Sequence, residues 1–222
     1  CDFSLENWAC AEVPGDLALE HFSLARTHRY ITPMIRRAMA VEGAAFDLMA
    51  SPWSPPAWMK TNGEMNHGGG LRPEHRDAWA LHYVRWIQGM AEAGVATWGI
   101  SIQNEPEAVQ VWDSCIYTAA AERDFIRDHL GPALHAAGLE DVRVVIWDHN
   151  REVAFRRAAT VLSDPEAAQY VWGTGVHWYS GEYFDQLEQI HRAFPGHHIL
   201  FTEGCWEGGV KLGQYDLSLI HI

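Results

Sequence analysis

The 222-residue sequence predicts an incomplete (β/α)8 barrel of the α/β class, and three observations point to it. Short apolar runs alternate with longer stretches of helical period along the chain, which is the pattern of βα units with parallel strands. No GxGxxG follows the first apolar run, and the glycine triplet Gly68-Gly69-Gly70 follows a loop, which disfavours a doubly wound nucleotide-binding sheet. Polar and aromatic side chains gather at the ends of several different strands, as the C-terminal face of a barrel requires.

Taken in order, strands are expected at residues 46–51, 95–103, 142–148, 170–178 and 198–203, each bounded by turn or polar residues. A first helix is expected at 32–42. Pro73 suits the first turn of a second, with Trp79, Tyr83, Trp86 and Met90 on one stripe, Ala80, Val84, Ile87 and Ala91 beside it, and Gly94 as its C-terminal stop. Thr118 can cap the helix containing Phe125, Ile126, Leu130 and Leu134; Gly131-Pro132 predicts a kink in it and Gly138 its end. Two more helices are expected at 152–162 and 184–194. All these apolar stripes read as core packing.

The composition, 48% hydrophobic and 20% charged, is that of a globular protein. A net charge of −13 with no basic run makes nucleic acid and anionic membrane surfaces poor partners, and no apolar run is long enough to span a bilayer. A neutral substrate fits better. The cysteines Cys1, Cys10, Cys115 and Cys205 show no CxxC spacing; disulfides are permitted but not implied. Among thirteen histidines there is no HExxH, and the neighbours His197 and His198 would point to opposite faces of a strand, so no metal is expected.

The strand ends carry the chemistry: Ser51-Pro52-Trp53, Asn104-Glu105-Pro106, Asp148-His149-Asn150, His177-Trp178-Tyr179 and Thr202-Glu203-Gly204-Cys205. Taken singly, Glu105 before Pro106 reads as an ordinary strand end in extended geometry. Together with Glu203, on a strand separated from its own by two others, it supplies the carboxyl pair that glycoside hydrolysis needs, one to protonate the leaving oxygen and one to attack the anomeric carbon or activate water. Eleven tryptophans suit sugar stacking.

The stretches CDFSLENW, SPWSPPAWMKTNGEMNHGG, ISIQNEPEAVQVWDSCIYT, ERDFIRDHLGPAL, DPEAAQYVWGTGVHWY and ILFTEGCWEGG resemble glycoside hydrolase family 30, in the family's order and over almost the whole chain. The resemblance implies a (β/α)8 barrel packed against a β-sandwich and hydrolysis with retention. It implies that Glu105 is the acid/base and Glu203 the nucleophile, that Asn104 bonds the sugar 2-hydroxyl, and that Asp2 and Trp53 hold hydroxyls of the terminal sugar. Tyr179 is placed close to the nucleophile, and His177 lines the same pocket. Cys205 either lines the pocket or is a small buried apolar side chain; Trp112 serves the aglycone side or packing. Glu107 and Asp113 read as solvated, and Trp206 and Glu207 as shaping substrate choice. The resemblance implies a carbohydrate or glycolipid substrate, no cofactor, and a secreted, periplasmic or lysosomal setting.

On chemical grounds Glu203, hydrogen-bonded by Tyr179, is expected to have a low pKa, and Glu105 a raised one through the charge of Glu203. Retention predicts carboxyl groups about 5–5.5 Å apart. A complete barrel takes about 250 residues. Accordingly, residues 1–215 are expected to form a partial catalytic barrel, from the end of the second strand to the seventh, without the β-sandwich, and 216–222 a non-native or unstructured tail. An open arc with unpaired edges and an exposed apolar face is expected to be poorly soluble alone.

Overall fold

Five parallel strands pair in chain order: β1 (Met49–Ala50), β2 (Gly99–Ser101), β3 (Arg143–Asn150), β4 (Val171–His177) and β5 (His198–Glu203). The computed structural model describes residues 6–205. Each strand lies beside its predecessor with helical chain between, so the sheet is part of a barrel wall. β3 and β4 are almost entirely buried, whereas no residue of β5 is fully buried and Phe201 is exposed, as befits the last strand of an arc.

The helices largely follow the expected periodicity. A 3-10 turn at Pro73–His75 leads into α2 (Arg76–Glu92), whose Ala78, Trp79, Ala80, Tyr83, Val84, Ile87 and Met90 are buried; Trp86 is half-buried and Ala91 exposed. Gly94 follows at φ +75°, the left-handed geometry that ends helices on glycine. The Thr118 side chain accepts from Ala121 N at 3.0 Å and caps α3 (Ala119–Phe125). A π turn (Ile126–Leu130) then joins α3 to α4 (Gly131–Ala136). The irregularity anticipated at Gly131-Pro132 therefore lies one turn earlier, where Pro132, lacking an N–H, cannot complete the ladder. Cβ of any larger residue at 131 would meet the Tyr170 ring at 2.4 Å, so the glycine also admits β4's approach.

α5 (Ala154–Leu162), the short α6 (Pro165–Ala168) and α7 (Phe184–Ala193) complete the outer layer. Three expectations need correction. First, β2, expected at 95–103, pairs with β3 only over Gly99–Ser101. Next, the first helix, α1, spans Ala25–Met39, not 32–42: Thr32-Pro33 is not its start but lies inside it. Thr32 is buried and its hydroxyl contacts His28 Nδ1 at 3.0 Å, which holds the turn around the proline. The first strand shrinks from six expected residues to Met49–Ala50, since Phe46 is exposed and only Met49 and Ala50 pair with β2. Tyr30, Ile31 and Met34 of α1 and Phe201 of β5 are exposed.

Two rim loops are tied together. Lys60, fully buried, donates from Nζ to Met65 O (2.8 Å) and Ser114 O (2.5 Å), joining the loop after β1 to the loop after β2; backbone bridges Asn66–Asp113 and Gly70–Ile116 reinforce the seam. Burial pulls the Lys60 pKa down, against the nearby Cys115, Asp113 and Glu64, so the two carbonyl acceptors do the holding.

Candidate active site

β3 is irregular where it reaches the rim. The β3–β4 register pairs Trp147 with Gly175 and His149 with Val176, leaving Asp148 as an extra residue in a bulge. Trp147 and Asp148 have φ of +71° and +50°, and Glu105 has φ +49°. Left-handed backbone at three non-glycine residues costs on the order of 1–3 kcal/mol each and persists only where surroundings enforce it. The extended geometry expected for Glu105 is thus incorrect. Its N–H donates to Asp148 O (2.9 Å) and its C=O accepts from Ala108 N (2.9 Å), and these contacts turn the chain despite Pro106.

The bulge turns the Asp148 carboxylate inward, where it is 2% exposed. Oδ2 accepts from Ser51 Oγ (2.7 Å), itself bonded by Ser101 Oγ (2.8 Å), and Oδ1 lies 3.1 Å from His177 Nε2. The other nitrogen of His177, Nδ1, lies 3.3 Å from Glu105 Oε1. A relay Ser51–Asp148–His177–Glu105 therefore crosses four strand ends. On the far side, Tyr179 OH donates to Glu203 Oε1 (3.0 Å) and accepts from Cys205 N (3.1 Å). Tyr179 is anchored through its own N–H to Asn150 Oδ1 at 2.9 Å.

Electrostatics follow from this wiring. Burial opposes a charge on His177, but its hydrogen bonds to Asp148 and Glu105 and the charges of Asp148 and Glu203 prevail and hold its pKa at about 9. Burial pushes the Asp148 and Glu105 carboxyls up, yet the His177 contacts bring both below their ordinary values. Glu203 lies above its ordinary value: burial is the largest cause, with Glu105 and Asp148 adding to it against His177 and Tyr179. Both glutamates reverse the sequence-based expectation: the His177 cation against Glu105 brings that carboxyl down, whereas at Glu203 burial outweighs His177 and Tyr179. Tyr179 is raised by burial and by the neighbouring Cys205 and Glu203.

Behind the bulge lies a buried ion pair. Glu122 (1% exposed) accepts from Trp147 N at Oε1 (2.8 Å) and from Arg157 Nη2 at Oε2 (2.7 Å). Arg157 (2% exposed) also donates to Tyr117 O (2.8 Å) and lies 4.8 Å from the centre of the Trp147 ring. These two side chains hold the left-handed strand end that aims Asp148.

Of the expected site residues, Glu105, His177, Tyr179, Glu203 and Cys205 converge. Asn104 is buried beside Glu105, with its N–H on Pro52 O (2.9 Å), and Gln103 Nε2 clamps Trp53 O (2.7 Å). Cys205 is exposed and its Sγ lies 3.2 Å from Tyr179 OH, which excludes the buried apolar reading. Trp112 is exposed on the loop after Glu105. Glu107, half in solvent, reaches Arg157 at 3.5 Å, and Asp113 is half-buried, with Oδ1 buried and without a hydrogen-bond partner. Asp2, Trp206 and Glu207 lie outside the described residues. Cys10, Cys115 and Cys205 are free thiols. Asp148, His149, Glu122 and Arg157 escaped individual assignment; Asp148 and His149 stood in a strand-end triplet, but nothing local marked the Glu122–Arg157 pair. A cavity of about 220 Å³, lined by Trp53, Trp79, Trp86 and Ser51 among others, abuts the relay at Ser51 but includes neither glutamate. Although the sequence shows no metal motif, one trio among the described residues, Glu105, His149 and His177, brings three ligand atoms within 4.8 Å of one another.

The profile of the Glycosyl hydrolase family 30 TIM-barrel domain matches residues 1–220. The chain belongs to glycosyl hydrolase family 30. Among its relatives, the lysosomal acid glucosylceramidase of Mus musculus is 36% identical over 99% of this chain and 46% of its own length, and the endo-1,6-β-D-glucanase of Neurospora crassa is 31% identical over 86% and 40%. The crystal structure of SrfJ from Salmonella typhimurium superposes with TM-score 0.90 at 36% identity, covering 96% of this chain and 48% of that one. A solved endo-β1,6-glucanase superposes with TM-score 0.85 at 30% identity, covering 93% and 47%. This family 30 chain thus spans about half the length of the relatives it matches, and its five strands are an incomplete TIM barrel.

Proposed function

We propose that the chain is the catalytic part of a retaining β-glycosidase acting on β-glucosidic bonds, with glucosylceramide-like or β-1,6-glucan substrates, Glu203 as nucleophile and Glu105 as acid/base. The observation that supports it best is the asymmetric wiring of two carboxyls at one rim: Glu203 bonded by a tyrosine hydroxyl, Glu105 bonded by a cationic histidine. Glu105 is ionised at rest, with the transferable proton 3.3 Å away on His177 Nδ1. A sugar that dries the site increases the burial that already pushes the Glu105 carboxyl up, and the proton passes to Glu105 and on to the leaving oxygen. Glu203 attacks the anomeric carbon; Glu105, ionised again, then takes a proton from water as the glycosyl ester is hydrolysed. Asn104 and Trp53 are assigned to sugar hydroxyls, with Asp2 and the aglycone role of Trp112 resting on the same family reading. The substrate is a carbohydrate or glycolipid, no helix among the described residues is long and apolar enough to cross a membrane, and the two-carboxyl chemistry needs no cofactor.

The test is incubation of the full-length polypeptide carrying these residues with a 2-fluoro-β-glucoside, followed by peptide mass mapping and a crystal structure. A covalent adduct on Glu203, with carboxyl groups about 5–5.5 Å apart, is expected. An adduct only with a xyloside or fucoside analogue keeps the mechanism and overturns the sugar; folded protein that binds β-glucosides and labels with none of these is a binding protein without turnover.

A further inference from the structure

We propose that Glu105, His149 and His177 form a site for a divalent transition metal such as zinc, and that its occupancy silences the glycosidase chemistry by taking Glu105 out of use. A zinc ion with ligand bonds of about 2.0–2.2 Å and tetrahedral angles separates its ligand atoms by about 3.3–3.6 Å. The observed separations are 3.3 Å from Glu105 Oε1 to His177 Nδ1 and 3.7 Å from Glu105 Oε1 to His149 Nδ1, and the ligand atoms of the trio lie within 4.8 Å of one another. Two edges of the coordination polyhedron are therefore formed to within about 0.4 Å of zinc's requirement, and the third closes by rotation of a ring.

Three further features favour a ligand here. His149 Nδ1 is buried without a hydrogen-bond partner, an uncommon state for an imidazole nitrogen pointed at a carboxylate. Asp148 Oδ1 sits 3.1 Å behind His177 Nε2, the carboxylate–histidine arrangement that keeps a proton on Nε2, and a metal at Nδ1 takes the place of the proton that otherwise lies between Nδ1 and Glu105. Ser51 in turn fixes Asp148 at 2.7 Å. Three protein ligands leave a fourth position for water or a sugar hydroxyl. The residues come from three strand ends, at 105, 149 and 177, which is why no spaced motif announces them.

Metal binding itself is independent of the glycosidase reading; only the inhibition rests on it. The test is calorimetric titration of the full-length polypeptide with zinc chloride alone, with cobalt(II) chloride followed in the visible as a report on coordination. One saturable site is expected, with the absorption of four-coordinate cobalt. His149→Ala should weaken it by about 100-fold or more, and Asp148→Asn by about 10–100-fold, the range for loss of a partner behind a ligand. His149→Asp, which restores an oxygen ligand, should recover affinity and guards against a variant that merely misfolds. His21→Ala, which alters an exposed histidine elsewhere, should change nothing. No saturable site, or affinity indifferent to His149→Ala, overturns the site. Zinc binding that requires His149 while β-glucoside hydrolysis continues undiminished overturns the inhibition and leaves the site standing; adduct formation on Glu203 without zinc tests the glycosidase reading separately.

Discussion

Replacing Arg157 with leucine should both unfold the chain more readily and disarm the relay. The guanidinium and the Glu122 carboxylate are 2% and 1% exposed and 2.7 Å apart, so truncation strands a carboxylate in the interior with the Trp147 N–H as its remaining partner. Removing one member of such a pair costs about 3–5 kcal/mol. At about 2–4 °C per kcal/mol for a domain of this size, the melting temperature falls by about 6–20 °C. The double replacement Glu122→Leu/Arg157→Leu removes the stranded charge but leaves the Trp147 N–H and Tyr117 C=O unpaired, at about 1–3 kcal/mol each. It should therefore cost less than the sum of the two single changes by more than about 1 kcal/mol. The assay is urea denaturation followed by circular dichroism on the two single variants, the double variant and wild type. Hydrolysis is measured well below each midpoint and should fall in all three variants as Trp147 and Asp148 relax from their left-handed conformation. A single-variant cost within about 0.5 kcal/mol of zero, or additivity within about 0.3–0.5 kcal/mol, would refute the reasoning.

Three other outcomes follow from the same geometry. Glu105→Gln should slow hydrolysis of β-glucosides with poor leaving groups by about 10²–10⁴ and flatten one limb of the pH–rate profile, with a smaller loss for activated aryl glycosides; equal losses for both would remove the acid role. His177 is raised in the fold from 6.5 to about 9, so the stability it contributes is complete below pH 6.5 and disappears as pH climbs through 9. Denaturation midpoints of wild type and His177→Gln should accordingly converge across that window, and midpoints that stay parallel would mean the imidazole is neutral. Gly173→Ala places a Cβ 2.5 Å from His198 O between β4 and β5 and should cost about 1–3 kcal/mol, whereas Gly196→Ala, which faces open space, should stay within about 0.5 kcal/mol; equal midpoints would argue against the β4–β5 register.

The strand ends were legible because each places polar residues after an apolar run, and Asn104-Glu105-Pro106 and Thr202-Glu203 stood out for that reason. Thr118 as a cap and Gly94 as a stop were legible because capping is decided within a few residues. What lay hidden is long-range. Glu105 meets His177 across 72 positions and Trp147 meets Glu122 across 25, so neither the charge partner that brings Glu105 down nor the acceptor that stabilises the bulge is visible in any window. The short β1 and the early start of α1 were misjudged for a related reason: Pro33 has the chemistry of a helix start, and only packing shows that it lies inside one.

Lys60 has a consequence for anyone who would alter this protein's preference by exchanging loops. Because one buried ammonium group serves carbonyls from both rim segments, Met65 on one and Ser114 on the other, neither segment is a separable module. A graft of the first alone leaves Ser114 O without its donor, and a graft of the second alone leaves the lysine with half its acceptors. Successful chimaeras should therefore be those that inherit both segments from one parent, and drift in either should be matched by compensating change in the other.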